Sequence, residues 1–491
     1  MSSIGQSINS LNPSSVNTKN CINNAVPDIL KPNCRMFQET QGIETSLLDP
    51  VVSRSDYIRW TLDRKGILHS NSKIKFSLKN DSGDPTSDKV FNCMSVGAKS
   101  FIKKCVLRCG AVILDQTENF NSLASYKTTF LDQEQVLRKE VYKSGVNTAI
   151  HAIKIPSMNG SGVADGFELP SEISYNTGRD FLLEFTANTG TNTLGNDRMI
   201  TRVKDVANAF TLTDYVIDLH DLFNSLRFTQ IPLYMCSQPV VIELFLETDI
   251  MNKCLSKING GGDAVFSLDT SSPVLICDYI FYDAKTMADF EQQNSNLQLP
   301  FMEHKLINTT QNYNSNPNFV RNLGGANKQV NTITIIHTDL VSDLRESLNN
   351  KYFSTISGLT GDTLEINVKI NDKFLYPVEI KNPMEQYVAT FMAEGLPMNV
   401  SGRDYMKTQG VDFTEFNLIE GYDQDATLEG QKRYICLRNN TGERITNRGI
   451  ELYLTSKAGA LAQNKHYNQL VYLEIAKTLI LKNGIWAEVY E

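Results

Sequence analysis

Ile242-Glu243-Leu244-Phe245-Leu246 and Ile450-Glu451-Leu452-Tyr453-Leu454 are two versions of one string. Side chains alternate between the faces of a β-strand. Isoleucine and the two leucines therefore fall on one face, and glutamate and the aromatic residue on the other. A second long apolar run follows each copy: Val274 to Tyr282 after the first, Leu470 to Leu481 after the second. Each copy thus sits near the end of one half of the chain, and two domains of one architecture follow from that placement.

The surrounding sequence has the same texture. Strands are expected at Tyr57 to Leu62, Ile74 to Leu78, Cys105 to Arg108, Ala111 to Leu114, Phe181 to Phe185 and Thr213 to Leu219. In the second half they are expected at Val330 to Ile336, Thr363 to Ile370 and Arg433 to Leu437. Gly110 reads as a turn, and Asn371-Asp372-Lys373 as another. Helical spacing of Leu123, Tyr126, Lys127 and Phe130 predicts a helix over Asp115 to Phe130, and a short one starts at Ala284. Residues 144–210 and 394–430 are polar, irregular and loop-like. Many strands with few helices exclude alternating βαβ units and point to sandwiches or barrels.

With 491 residues the chain exceeds what one core organises, and 41% apolar content supplies two. The expected division is an N-terminal Ser/Asn-rich arm over 1–50, a first domain over 51–283, a connecting helix and linker over 284–300, and a second domain over 301–491. The arm has isolated apolar residues and cannot offset its own ordering entropy. A net charge of −8 without a basic cluster argues against direct nucleic-acid wrapping. Nine scattered cysteines are not a disulfide framework. No apolar run has transmembrane length, and the first twenty residues lack signal-peptide character. A reducing compartment is expected, with the sequons at Asn159, Asn308, Asn399 and Asn439 left as chance.

No catalytic constellation emerges. Gly260-Gly261-Gly262-Asp263 lacks the Gly-Lys-Ser/Thr that would cradle phosphate. None of His69, His151, His220, His304, His337 and His466 stands at zinc-hydrolase spacing from another histidine. His220 between Asp218 and Asp221 is the nearest approach to a ligand set. It is discounted because neighbours on a strand point to opposite faces. Cys105 and Cys109, ~13 Å apart on a strand, cannot share a metal. The expectation is no catalytic, cofactor or metal residue.

Several strings resemble the double jelly-roll major capsid proteins of eukaryotic double-stranded DNA viruses, in particular those of polinton-like viruses, virophages and their larger relatives. Arg64 to Ile74 is similar to the start of the first jelly roll. Leu107 to Ile113, with Glu118-Asn119-Phe120-Asn121 and Tyr126-Lys127, is similar to the family's strand, glycine turn and helix. Asp218-Leu219, Leu222-Phe223, Leu226-Arg227 and Ile231-Pro232-Leu233 lead into the first repeat strand, and Asp278-Tyr279-Ile280 resembles the closing strand. Ile370 to Pro377 and Leu479 to Gly484 carry the likeness into the second half. Trp486 and Glu488 depart from it, standing where a plainer apolar strand belongs.

The resemblance implies an all-β chain of two tandem antiparallel eight-stranded jelly rolls with short helices in the connections. It implies a homotrimeric capsomer, six jelly rolls in a pseudo-hexagonal block that tiles an icosahedral shell. Neighbouring trimers, penton proteins and minor capsid proteins would be its partners, and outer loops would meet a host receptor. The protein would reside in the virion, assembled in the host cytoplasm or nucleus. The alternative is a receptor- or glycan-binding β-sandwich, with a glycoside-processing enzyme on the same scaffold a distant third.

Overall fold

The computed structural model describes residues 42–81, 89–92, 96–129, 156–158, 164–167, 204–206, 209–211, 213–258, 265–311, 318–339, 363–381, 383–395, 435–441, 444–446, 448–457 and 467–490. The expected strand at Phe181 to Phe185, the Gly260–Gly262 loop, and most of the loops at 144–210 and 394–430 lie outside them.

The first half is two facing sheets. One runs in the order Thr213–Asp218, Lys73–Asn80, Val274–Phe281, Ile67–Leu68, Ile231–Pro232, with Gly42–Leu48 added along Val274–Phe281. The other runs Val52–Ser53, Tyr57–Thr61, Val240–Leu246, Ile102–Cys109, Val112–Glu118. Inward side chains of both, among them Trp60, Ile242, Leu244, Phe76, Tyr215 and Tyr279, form one core. All pairings are antiparallel, so hairpins and longer crossovers suffice as connections.

The second half repeats the plan. One sheet runs Asn296–Gln311, Tyr467–Lys482, Val330–Asp339, Ile435–Arg438, with Ile485–Tyr490 folded back on Tyr467–Lys482. The other runs Asn318–Gly324, Ile450–Lys457, Thr363–Ile370, Lys373–Phe374. Ile333, Ile335, Val471 and Leu473 from one meet Ile366, Val368, Leu452 and Leu454 from the other.

The repeated string occupies the same place in both halves. Val240–Leu246 lies between Tyr57–Thr61 and Ile102–Cys109, and Ile450–Lys457 lies between Asn318–Gly324 and Thr363–Ile370. Its isoleucine and leucines are buried, as alternation requires.

The helix expected over Asp115–Phe130 is corrected at its start. Residues 112–118 are a strand, and the helix is Phe120–Thr129. The periodic residues all lie beyond Asn119, whose φ of 45° breaks the chain between the two elements. Gly110 makes the turn before that strand at φ 59°, and a Cβ there would collide with the Gln238 side chain. The helix expected at Ala284 is Ala284–Gln293, its N-terminus capped by Asp283, whose carboxylate accepts from the Thr286 N–H at 2.8 Å.

Candidate functional site

The two cores are joined by a pair of long strands. Asn296–Gln311 and Tyr467–Lys482 pair along their full length, in register from Asn296 with Lys482 to Gln311 with Tyr467. At one end Leu297, Leu299, Phe301, Leu479 and Leu481 belong to the first core. Further along, Val471, Leu473 and Ile475 belong to the second. One stiff ribbon is therefore shared by both halves. The hairpin beyond it turns at Asn483 and Gly484, both at positive φ, and inserts Trp486 into the first core.

Polar groups on this seam are matched, with Lys477 and Glu303 buried. Lys477 Nζ contacts Glu303 Oε1 at 3.0 Å, Glu488 Oε2 at 2.9 Å and the Ile113 carbonyl at 3.2 Å. Tyr490 donates its hydroxyl to Glu303 Oε2 at 3.0 Å. Across the same seam Tyr472 donates to the Asn119 carbonyl at 2.8 Å, and Tyr126 donates to Glu394 Oε1 at 2.6 Å. Asn224 donates to the Met302 carbonyl at 2.9 Å. Asp115 accepts from the Ser225 N–H at 2.8 Å. Burial outweighs that bond and, with Glu303 nearby, pushes the Asp115 carboxyl up to about 6. Burial likewise pushes the Lys127 ammonium down to about 7.

The outer faces of the two smaller sheets match as well. Glu243 Oε1 accepts from the Tyr57 hydroxyl and from Arg108 Nη2, each at 2.8 Å. Glu451 Oε2 accepts from the Tyr453 hydroxyl at 2.8 Å and lies 3.6 Å from Lys369 Nζ. Two residues on, Phe245 packs at a tilt against Tyr57 at 5.0 Å between ring centroids, and Tyr453 edge-on against Phe374 at 5.3 Å. Each half thus presents a carboxylate, a cation and an aromatic pair on its outer face.

Asp218, His220 and Asp221 do converge, contrary to the strand argument against them. The strand ends at Asp218, and Leu219–Leu222 is a helical turn that swings His220 and Asp221 back. One ligand-type atom from each lies within 4.8 Å of the others. Lys99 Nζ sits 3.0 Å from Asp221. Burial raises the Asp221 carboxyl, but Lys99, His220 and Arg227 override it and hold it at about 2. His220 Nδ1 is 3.1 Å from the Ser70 carbonyl. The Lys99 ammonium on the carboxylate would compete with any cation there.

The other singled-out residues are dispersed. Cys105 is buried against the Leu222 carbonyl at 3.3 Å, and burial pushes its thiol up. His337 is buried and pushed down to about 3. His304 Nδ1 meets Asn224 at 2.6 Å on the seam. His151 and His466 lie outside the described residues. The seam itself was missed by sequence reading. The two residues that departed from the capsid pattern, Trp486 and Glu488, were its available signal.

No protein-family model matches the sequence, and no curated protein matches it. Among solved structures, the mavirus major capsid protein is similar at 9% identity with a TM-score of 0.52, over 91% of this chain and 90% of that one. A chain in the cryo-EM structure of the Sputnik virophage is similar at 10% identity and TM-score 0.49, over 91% and 88%. The Faustovirus major capsid protein is similar at 10% identity and TM-score 0.48, over 89% and 90%. The likeness to the mavirus protein defines the fold class: all-β, two antiparallel jelly rolls in tandem.

Proposed function

We propose that this chain is a viral major capsid protein, assembling as a homotrimer whose six jelly rolls form a pseudo-hexagonal block in an icosahedral shell. The observation that carries the reading is the duplicated sandwich welded across one ribbon. Two equivalent wedges held at a fixed angle are what a trimer needs to imitate six-fold packing with three chains. The matched outer faces of Glu243 with Phe245 and Glu451 with Tyr453 support it, since each wedge would present similar chemistry to its neighbours.

In this reading residues 1–50, apart from the Gly42–Leu48 strand that the first sheet takes up, are an assembly arm, 51–283 and 301–491 the two jelly rolls, and 284–300 the connection, its last residues already in the Asn296–Gln311 strand. The partners are other copies first, then penton and minor capsid proteins, with outer loops free to meet a receptor. The protein resides in the virion and catalyses nothing. Light scattering on the purified chain is expected to give three times its 55.1 kDa mass, with hexagonal blocks in negative-stain micrographs. A stable monomer that binds glycans would overturn the reading and favour a sugar-binding sandwich.

A further inference from the structure

Lys127 stands in the last turn of the Phe120–Thr129 helix, and Asn224 opens the short helix Asn224–Phe228. The two positions are 97 residues apart in sequence, yet Lys127 Nζ lies 3.2 Å from Asn224 Oδ1. The other end of the same carboxamide is held from two sides. Asn224 Nδ2 donates to the Met302 carbonyl at 2.9 Å and lies 2.6 Å from His304 Nδ1. A carbonyl oxygen can only accept, so Met302 fixes which end of the carboxamide is nitrogen, and Lys127 faces the oxygen. Both amide hydrogens are then committed, one to Met302 and one to His304, whose Nδ1 presents its lone pair. Asp115 accepts from the Ser225 N–H at 2.8 Å and so anchors the backbone beside Asn224.

These are the parts of an amide exchange. The carbon to be attacked is one C=O bond, ~1.23 Å, beyond the oxygen that Lys127 touches. The nitrogen to be expelled sits against an imidazole. Burial pushes the Lys127 ammonium down to about 7, so the neutral amine with its lone pair is present at neutral pH. Groups held at contact distance react with the advantage of an intramolecular step. Other lysines of the first half and the seam meet different chemistry. Lys477 faces Glu303 and Lys99 faces Asp221, and an ionised carboxylate resists a nucleophile where a carboxamide does not.

We propose that Lys127 and Asn224 join in an intramolecular isopeptide bond. The lone pair of the neutral Lys127 amine adds to Asn224 Cγ, forming the Nζ–Cγ bond and moving the carbonyl π electrons onto Oδ1. As the carbonyl re-forms, the Cγ–Nδ2 bond breaks. One Nζ proton passes to the departing nitrogen, which leaves as ammonia, and His304 Nδ1 beside that nitrogen is placed to carry the proton. No oxidant, cofactor or second substrate enters. The product closes the chain between positions 127 and 224 into a covalent ring. The polar stretch 144–210 lies within that ring, so a break there would not separate the pieces. The bond also pins both helices beside Met302, on the ribbon shared by the two halves.

The test uses the purified full-length protein, held folded at neutral pH, then denatured and reduced for mass spectrometry. The intact mass should fall short of the sequence mass by one ammonia, and a protease digest should contain a branched peptide joining Lys127 to Asn224. Lys127→Arg and Asn224→Ala, each folded by circular dichroism, should show their own full sequence masses and no branched peptide. After limited proteolysis within 144–210, the parent's fragments should stay together on a denaturing gel, and those of the two variants should separate. The parent's peptide map decides the question even where a variant fails to fold. A full sequence mass in the folded parent, loss of ammonia as a cyclic imide at Asn224 with no lysine attached, or a branch at another pair of residues would each overturn the proposal.

Discussion

Lys477 Nζ lies 3.0 Å from Glu303 Oε1 where the two jelly rolls meet, with the two side chains 1% and 7% exposed. Glu303 and Lys477 stand on the paired strands of the shared ribbon, and Glu488 and Tyr490 close the group from the terminal hairpin. Such a group adds little net stability over an apolar replacement, but removing one member strands a charge in the interior. Lys477→Ala is expected to lower unfolding stability by about 3–5 kcal/mol, because Glu303 is left without its cation. Lys477→Met combined with Glu303→Leu should recover most of that loss. Urea unfolding of the three proteins decides it, and a single mutant as stable as the parent would show that water solvates the seam.

Asp115 makes the joint pH-dependent, with a sign opposite to that of an ordinary surface carboxylate. Its folded-state pKa of about 6 is above the ordinary 3.8, so the folded state holds the proton more tightly. That stability is present below the ordinary value and is lost as pH rises through about 6. The loss is about 3 kcal/mol at most. Asp115→Asn keeps an acceptor for the Ser225 N–H and removes the titration. The variant should be the more stable protein at about pH 8 and near parity at about pH 4. A variant less stable than the parent at the higher pH would refute the assignment.

Trp486 tests whether the C-terminal hairpin is part of the first core or an ornament on it. It is buried there, its indole N–H on Cys236 Sγ. Trp486→Ala should cost about 3–5 kcal/mol by opening a cavity. Trp486→Phe keeps most of the volume, loses the hydrogen bond and should cost about 1–2 kcal/mol. Melting curves that rank the two substitutions the other way, or show no change, would place the hairpin outside the cooperative unit.

The duplicated strings make a paired prediction. Glu243 is nearly buried and holds both Tyr57 and Arg108, whereas the Glu451 side chain is 36% exposed and pairs loosely with Lys369. Glu243→Gln should cost about 1–2 kcal/mol and Glu451→Gln under about 0.5 kcal/mol. Equal losses on chemical denaturation would mean that the two positions are equivalent in environment as well as in sequence, and would overturn this prediction.

The fold was legible wherever alternation carried it. The Ile-Glu-Leu strings placed an equivalent strand near the end of each half, and the structure sets both in the same position of a sheet with their isoleucines and leucines buried; in the first copy Val241 and Glu243 are buried as well. The site was less legible for two physical reasons. Asp218, His220 and Asp221 were read as strand neighbours, and a four-residue helical turn, too short for periodicity to reveal, brings them together. Lys477, Glu303 and Asp115 meet only through pairings between distant segments, which no local pattern encodes. Trp486 and Glu488 were noticed as misfits and turn out to bind the halves together, so departure from a pattern was the informative signal there.

The boundary drawn at residue 50 from composition falls beyond a strand, since Gly42–Leu48 pairs along Val274–Phe281 from Gly42 with Phe281 to Leu48 with Leu275. Thr45 donates to Asp278 at 2.7 Å, and Lys65 bridges to Glu44 at 2.6 Å. Removing residues 1–41 leaves this strand in place. Removing 1–48 uncovers the backbone donors and acceptors of Val274–Phe281, an unpaired edge that invites association. The shorter deletion should melt within a degree or two of the parent, and the longer one should melt lower and aggregate on heating. Identical melting and scattering for both deletions would show that the strand contributes nothing to the sheet it borders.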